Sequence, residues 1–230
     1  IYMLSPLILI PYLIRIMGPE LYGIYIFVWT FIYYYVFIIN YGFDYTATKE
    51  ISINRDNSER ISEIYSTTFF TRLLLVVISF IILGCFLIFI PQFNIHSKII
   101  LLGTGLIIGQ ALIPTWIFQG MEEMKFVTIV NTIARVIPLV LIFLFFKSGT
   151  DISLVLLFQS IGFLSGGVFS HVFAVRHYKL HILLPDFHQI KDCLKSGWSM
   201  FLSTIGISLY RESNTIILGF VTNNYELVGY

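Results

Sequence analysis

Arg135, Arg211 and Glu212 each lie near the middle of an apolar run long enough to cross a bilayer. A charge at that depth is expensive: insertion scales put a central arginine at about 2.5–3.5 kcal/mol unfavourable. Two arginines and a glutamate facing lipid would together cost roughly 8 kcal/mol on that scale. A hydrated interior cavity removes most of this cost. It also suits an anionic ligand, because a guanidinium binds phosphate through several hydrogen bonds. The competing role is an internal ion pair that only locks helices together. Arg211 and Glu212 are adjacent in sequence, hence about 100° apart around a helix, and cannot simply neutralise each other. Asn214 lies on the same run. Arg72, near the start of another run, is placed to snorkel to the headgroups as an alternative to a cavity role. With Arg15, these six residues are the candidates for lining a substrate-binding cavity.

The elements that must hold them are membrane helices. The 230-residue chain is 57% hydrophobic and 17% aromatic but only 12% charged. A soluble domain carries roughly 25% charge. Spans need about 20 mostly apolar residues. They are expected at 1–14 (a truncated helix), 23–43, 68–90, 99–118, 126–146, 152–175 and 198–221. Lipid offers backbone groups no partner outside their own helix, so the fold class is all-α and polytopic. Two polar segments interrupt the spans, 44–66 and 176–196. The chain begins at Ile1 and ends at Tyr230 just past an apolar run, and is expected to be a piece of a longer protein. The short first run has neither the basic start nor the small-residue cleavage site of a signal peptide.

Loop charge sets the orientation. Lys49, Arg55, Arg60, Lys125, Arg176, Lys179, Lys191 and Lys195 fall in loops two, four and six. Arg15, Lys98 and Lys147 fall in the intervening ones. Lys and Arg stay on the cytoplasmic side, so the even loops and the N-terminus are expected inside. The net charge of +1 leaves no field to attract nucleic acid.

Other signals are weaker. Gly162 and Gly166 form a small-xxx-small step that favours close helix packing, with a hinge as the alternative. The run 23–43 is dense in Tyr, Phe and Trp. Tyr34 and Tyr41, seven apart, share a face that suits either lipid contact or stacking on a sugar. His171, His177, His181 and His188 have no compact ligand spacing, and Cys85 and Cys193 form no CxxC, so neither a metal nor a cofactor is expected. HExxH, GxSxG, P-loop and DxD motifs are absent. The expected outer loops are short, which argues against an enzyme such as a polysaccharide polymerase or acyltransferase.

Four segments carry a resemblance: PYLIRIMGPELYG (11–23), NYGFDYTATKEI (40–51), WIFQGMEEM (116–124), and RESNTIILG (211–219) followed by VGY (228–230). Together they resemble the polysaccharide biosynthesis proteins, Wzx-type flippases for O-antigen or capsule repeats in the multidrug/oligosaccharidyl-lipid/polysaccharide exporter superfamily. The resemblance implies about twelve helices in two lobes of six around a central cavity. The chain would then supply the N-terminal six-helix lobe (1–175), an inter-lobe cytoplasmic loop (176–197), and helix seven with the approach to helix eight (198–230). It implies an undecaprenyl-diphosphate-linked oligosaccharide as substrate, the bacterial inner membrane as location, membrane lipids around it, a coupling ion (H+ or Na+) and a polysaccharide polymerase as partner. Glu212 beside Arg211 leaves open a cation-coupled small-molecule or multidrug antiporter of the same superfamily.

Overall fold

The computed structural model describes residues 5–147 and 151–222, with the side chains of 5–6, 211–214, 216 and 218–222 outside the described set. Among the described residues every regular element is a helix: α1 (Ser5–Asn40), α2 (Phe43–Ile53), α3 (Ser58–Phe89), α4 (Pro91–Ile95), α5 (Ser97–Leu112), α6 (Thr115–Gly120), α7 (Met124–Phe145), α8 (Ile152–His177) and α9 (Phe187–Thr222). Five described stretches are long and apolar enough to span a membrane: Leu7–Ile53, Ser58–Phe89, Ser97–Gly120, Met124–Phe145 and Ile152–His177. The protein is an all-α polytopic membrane protein. The expected seventh span lies in α9, whose last side chains are outside the described set.

The helix breaks fall where the backbone demands them. The expected separation between runs 1–14 and 23–43 falls at Gly18, where α1 comprises two helical segments joined at a sharp break with no longer loop between them. Gly18 takes φ 77 and ψ 167, and Pro19 follows. Glycine accepts positive φ without a Cβ penalty, and proline's fixed φ starts the next helical turn. A second break, at Tyr41 (φ 46) and Gly42 (φ 87), separates α1 from α2. The expected span 99–118 is likewise divided, with α5 ending before Ile113 and Pro114, and α6 starting at Thr115. The third run starts earlier than expected. Asn57 accepts a hydrogen bond from the Arg60 backbone N–H and caps α3, so the polar residues from Ser58 onward are already helical.

Small residues bring the helices together. A Cβ on Gly166 would meet Ala134 Cβ at 3.0 Å, and one on Gly167 would meet the Gly109 carbonyl oxygen at 2.5 Å. Gly162 abuts Pro138 and Ala134. Helix α8 is thereby pressed between α5 and α7, so the small-residue step serves packing. Helix α9 docks on the α1–α2 break. Tyr41 stacks on Phe201 (4.5 Å, 16°), and a Cβ on Gly42 would lie 2.6 Å from Met200 Cβ.

The polar loops sort to two ends. At one, Arg55 reaches Glu122 (2.6 Å) and donates to the Gly120 carbonyl (2.8 Å). There Glu123 accepts from Tyr178 (2.6 Å) and meets His177 (3.2 Å). Gln189 at the start of α9 donates to Glu63 (2.8 Å). At the other end Lys98 faces Asp151 at 3.9 Å.

Candidate substrate-binding site

Arg135 lies midway along α7 and is half-buried. It borders a cavity of about 280 Å³ between α1, α7 and α8. The α1 wall is aromatic: Tyr22, Tyr25, Trp29 and Tyr33 all line the space. Their spacing of three, four and four residues puts them on one helix face. Successive ring centroids lie 5.9, 6.2 and 5.9 Å apart, and Trp29 stacks nearly parallel to Tyr33 (22°). Leu9, Ile10 and Leu13, on the other side of the Gly18 kink, complete that wall. Gln159 of α8 also lines the cavity. Its side chain is 6% exposed, its Nε2 donates to the Tyr25 hydroxyl (2.7 Å), and its Oε1 has no partner.

Arg72 has a different setting, and the snorkelling expectation is overturned. Its side chain is 1% exposed. Because α3 begins at Ser58, Arg72 sits about four turns inside the helix and not at its mouth. Nη1 donates to the Ile113 carbonyl (2.9 Å), which the α5–α6 break leaves bare. Nη2 donates to Asn40 Oδ1, at the end of α1. The guanidinium lies over the Trp116 ring, 4.7 Å from its centroid. Asp44 is near enough to attract it and hydrogen-bonds Thr115. Asp44 Oδ1, Arg72 Nε and Trp116 Nε1 are nonetheless buried without partners. The network continues through Tyr65, whose hydroxyl meets His171 Nδ1 at 2.7 Å.

The three candidates with described side chains do not converge. Arg135 is at the cavity, and Arg72 belongs to the separate buried cluster. Arg15 is exposed on α1, three residues before the kink. The side chains of Arg211, Glu212 and Asn214 lie outside the described residues. Of the aromatic pair singled out from spacing, Tyr34 is half-buried and Tyr41 packs at the break against α9. Two participants were missed. The stripe Tyr22–Tyr25–Trp29–Tyr33 was legible as a helical period, and Asp44 stood only as the first residue of the polar segment 44–66, although its Oδ1 is sealed from solvent. The histidines divide among unrelated partners: His171 with Tyr65, His177 with Glu123, His188 with Asp192.

At the polar end, Arg55 holds the Glu122 carboxyl below the usual carboxylate range by hydrogen bond and charge. Burial, and then Glu123 as its acceptor, push the Tyr178 phenol well above its ordinary value.

Five membrane-length apolar helical stretches, with a largely apolar and aromatic cavity that Arg135 and Gln159 border, define an integral membrane protein. The family model described as "Polysaccharide biosynthesis protein" matches residues 1–230, and the chain belongs to that family. It is similar to two curated proteins named "Putative O-antigen transporter". One, from Escherichia coli (strain K12), is 32% identical over 95% of this chain and 53% of its own length. The other, from Shigella dysenteriae, is 33% identical over 99% of this chain and 57% of its own length. The chain thus spans about half the length of the curated relatives it matches. No solved structure matches it.

Proposed function

We propose that the chain is the N-terminal part of a flippase that moves undecaprenyl-diphosphate-linked O-antigen or capsule repeats across the bacterial inner membrane. The carrying observation is Arg135, half-buried at mid-depth beside an aromatic-walled cavity. A guanidinium there favours a diphosphate headgroup while lipid tails stay in the bilayer. Residues 1–175 form the first lobe in this reading, 176–197 the inter-lobe segment and 198–230 the start of the second lobe. Lobes rocking about a central site give alternating access. The protein acts as a transporter and not as an enzyme. The even loops and the N-terminus face the cytoplasm, supported by the bias of eight Lys/Arg against three. Binding partners are the lipid-linked oligosaccharide and membrane lipids, with a polysaccharide polymerase downstream.

The test uses the full reading frame in a strain lacking its own flippase, at matched protein level. Arg135→Ala and Arg211→Ala are each expected to cut long-chain surface polysaccharide severely, and lysine at either position to retain part. Normal export in the double alanine variant would refute the reading. A cation-coupled antiporter is the second reading, favoured by Asp44, a carboxylate with one oxygen buried and unpaired. It requires that Asp44→Asn or Glu212→Gln abolish transport while Arg211→Ala leaves it intact. H+ or Na+ would be the coupling ion.

A further inference from the structure

Gln159 presents an orphaned acceptor at the wall of the Arg135 cavity. Its Nε2 is occupied by Tyr25, and its buried Oε1 meets no donor. Buried polar groups left without partners are costly and uncommon. The Tyr25 hydroxyl accepts from Gln159 and keeps its own proton to donate. Acceptor and donor therefore stand side by side. A ligand hydroxyl that enters as the buried Gln159 amide turns toward the cavity satisfies both at once, by giving its proton to Gln159 Oε1 and accepting one from Tyr25. A hydroxyl, which both donates and accepts, uses the pair fully, whereas an ammonium leaves the Tyr25 proton unused and a carboxylate cannot satisfy Oε1. Turning the amide over changes which atoms take part but not the result. Tyr25 would then donate to Oε1, leaving its lone pairs and an Nε2–H for the same hydroxyl.

The surrounding wall suits a sugar ring. Trp29 is half-buried beside Tyr25 and stacked with Tyr33, offering a flat apolar face to pyranose C–H bonds. Ligand pockets for drug-sized molecules run about 300–1,000 Å³. The 280 Å³ here has room for one ring and not for a whole repeat unit.

We propose that Gln159, Tyr25 and Trp29 form a subsite for a single pyranose ring of the transported glycan, read through one hydroxyl. This rests on the flippase reading and adds a residue that selects the sugar, separate from the arginine that favours the anionic headgroup.

The experiment uses the full-length protein purified in detergent and two probes. One is the repeat-unit oligosaccharide released from the source cell's surface polysaccharide, free of lipid. The other is a short-chain polyprenyl diphosphate without sugar. Gln159→Leu and Trp29→Leu are expected to weaken oligosaccharide binding about tenfold, the loss of one ligand hydrogen bond or stacking face. Trp29→Phe, which keeps a ring, should stay close to the parent. Binding of the polyprenyl diphosphate should be unchanged in all three. Parental oligosaccharide affinity in Gln159→Leu would overturn the subsite. So would equal loss of both probes, the mark of a Gln159–Tyr25 pair that merely holds α8 to α1. If Gln159→Leu does not fold, Trp29→Leu against Trp29→Phe decides. A parent that exports polysaccharide and binds the diphosphate, with variants that do not discriminate the oligosaccharide, removes the subsite alone. A parent that binds neither probe and exports nothing removes the flippase reading and the subsite with it.

Discussion

Arg72 and Arg135 are both arginines deep in membrane helices, and the fold treats them in opposite ways. Arg72 is enclosed, with one nitrogen on a main-chain carbonyl, one on Asn40, and its face on Trp116. Those partners come from the α1–α2 and α5–α6 breaks, so Arg72 ties two helix interruptions to α3. Arg135 is half-buried at an open cavity between three helices. Depth in the membrane therefore does not identify a binding residue. What separates the two is whether the side chain is closed over by its own helix ends or borders a space that a ligand can enter.

The largest effect should come from breaking the enclosed site. Arg72→Met removes the cation near Asp44 and strips a donor from the Ile113 carbonyl. The Ile113 carbonyl and Asn40 Oδ1 both lose their donor, and each buried acceptor so stranded typically costs about 1–3 kcal/mol. The expected outcome is a sharply lowered unfolding midpoint in detergent and little folded protein in the membrane. Adding Asp44→Asn should recover part of it, since no buried charge is then left unmatched. Arg135→Ala should do the reverse: normal folded protein and unfolding midpoint, with export impaired. Loss of folded protein in both would erase the distinction.

The difference between the sites also marks how far the sequence could be read. Apolar length and sparse charge were enough for an all-α polytopic protein, because lipid permits few other backbone solutions. Arg135 stood out for the same reason, a charge in the middle of an apolar run. Arg72 was misjudged because α3 has no sequence gap at its membrane entry: the polar turn from Ser58 continues as helix into the apolar run. Asp44 was hidden for a related reason. It opens a polar, helix-forming segment and looks like surface until Gly42 turns α2 back onto α6 and α3. The aromatic stripe had a readable period, but the density of aromatics in that run obscured which face mattered. The Gln159–Tyr25 pair joins residues 134 apart and depends on tertiary packing.

A smaller effect is expected where α9 meets the α1–α2 break. Gly42 has φ 87 and lies against Met200. A side chain in left-handed backbone costs about 1–2 kcal/mol. Gly42→Ala should lower the unfolding midpoint modestly, much less than Arg72→Met, and loosen α9. A pair of cysteines at Tyr41 and Phe201 should cross-link readily in the parent and more slowly in Gly42→Ala. Equal cross-linking would mean that the break does not set the position of α9.

The smallest effect is a thiol that reports the same docking without perturbing it. Cys193 lies near the start of α9, among Thr46, Glu50, Thr68 and Gln189. Burial pushes its pKa up to about 11, with Glu50 adding to the rise and the Thr71 and Thr68 hydroxyls opposing it. The thiolate is the reactive form, and an unhindered cysteine titrates near 8.5. At pH 8 the thiolate fraction of Cys193 should therefore be roughly two hundred times smaller than that of a free thiol. The folded form keeps its proton to higher pH than the unfolded chain. Its contribution to stability is thus intact below the ordinary thiol value and declines as pH rises from there toward 11. In a Cys85→Ser background, iodoacetamide should modify Cys193 slowly at pH 8, and faster as pH approaches 11. Gly42→Ala should raise the pH 8 rate by releasing α9 from α2 and α3. Parental Cys193 reacting at pH 8 like a free thiol would show that the start of α9 does not pack there, and the contrast between a closed and an open side of these helices would then rest on Arg72 and Arg135 alone.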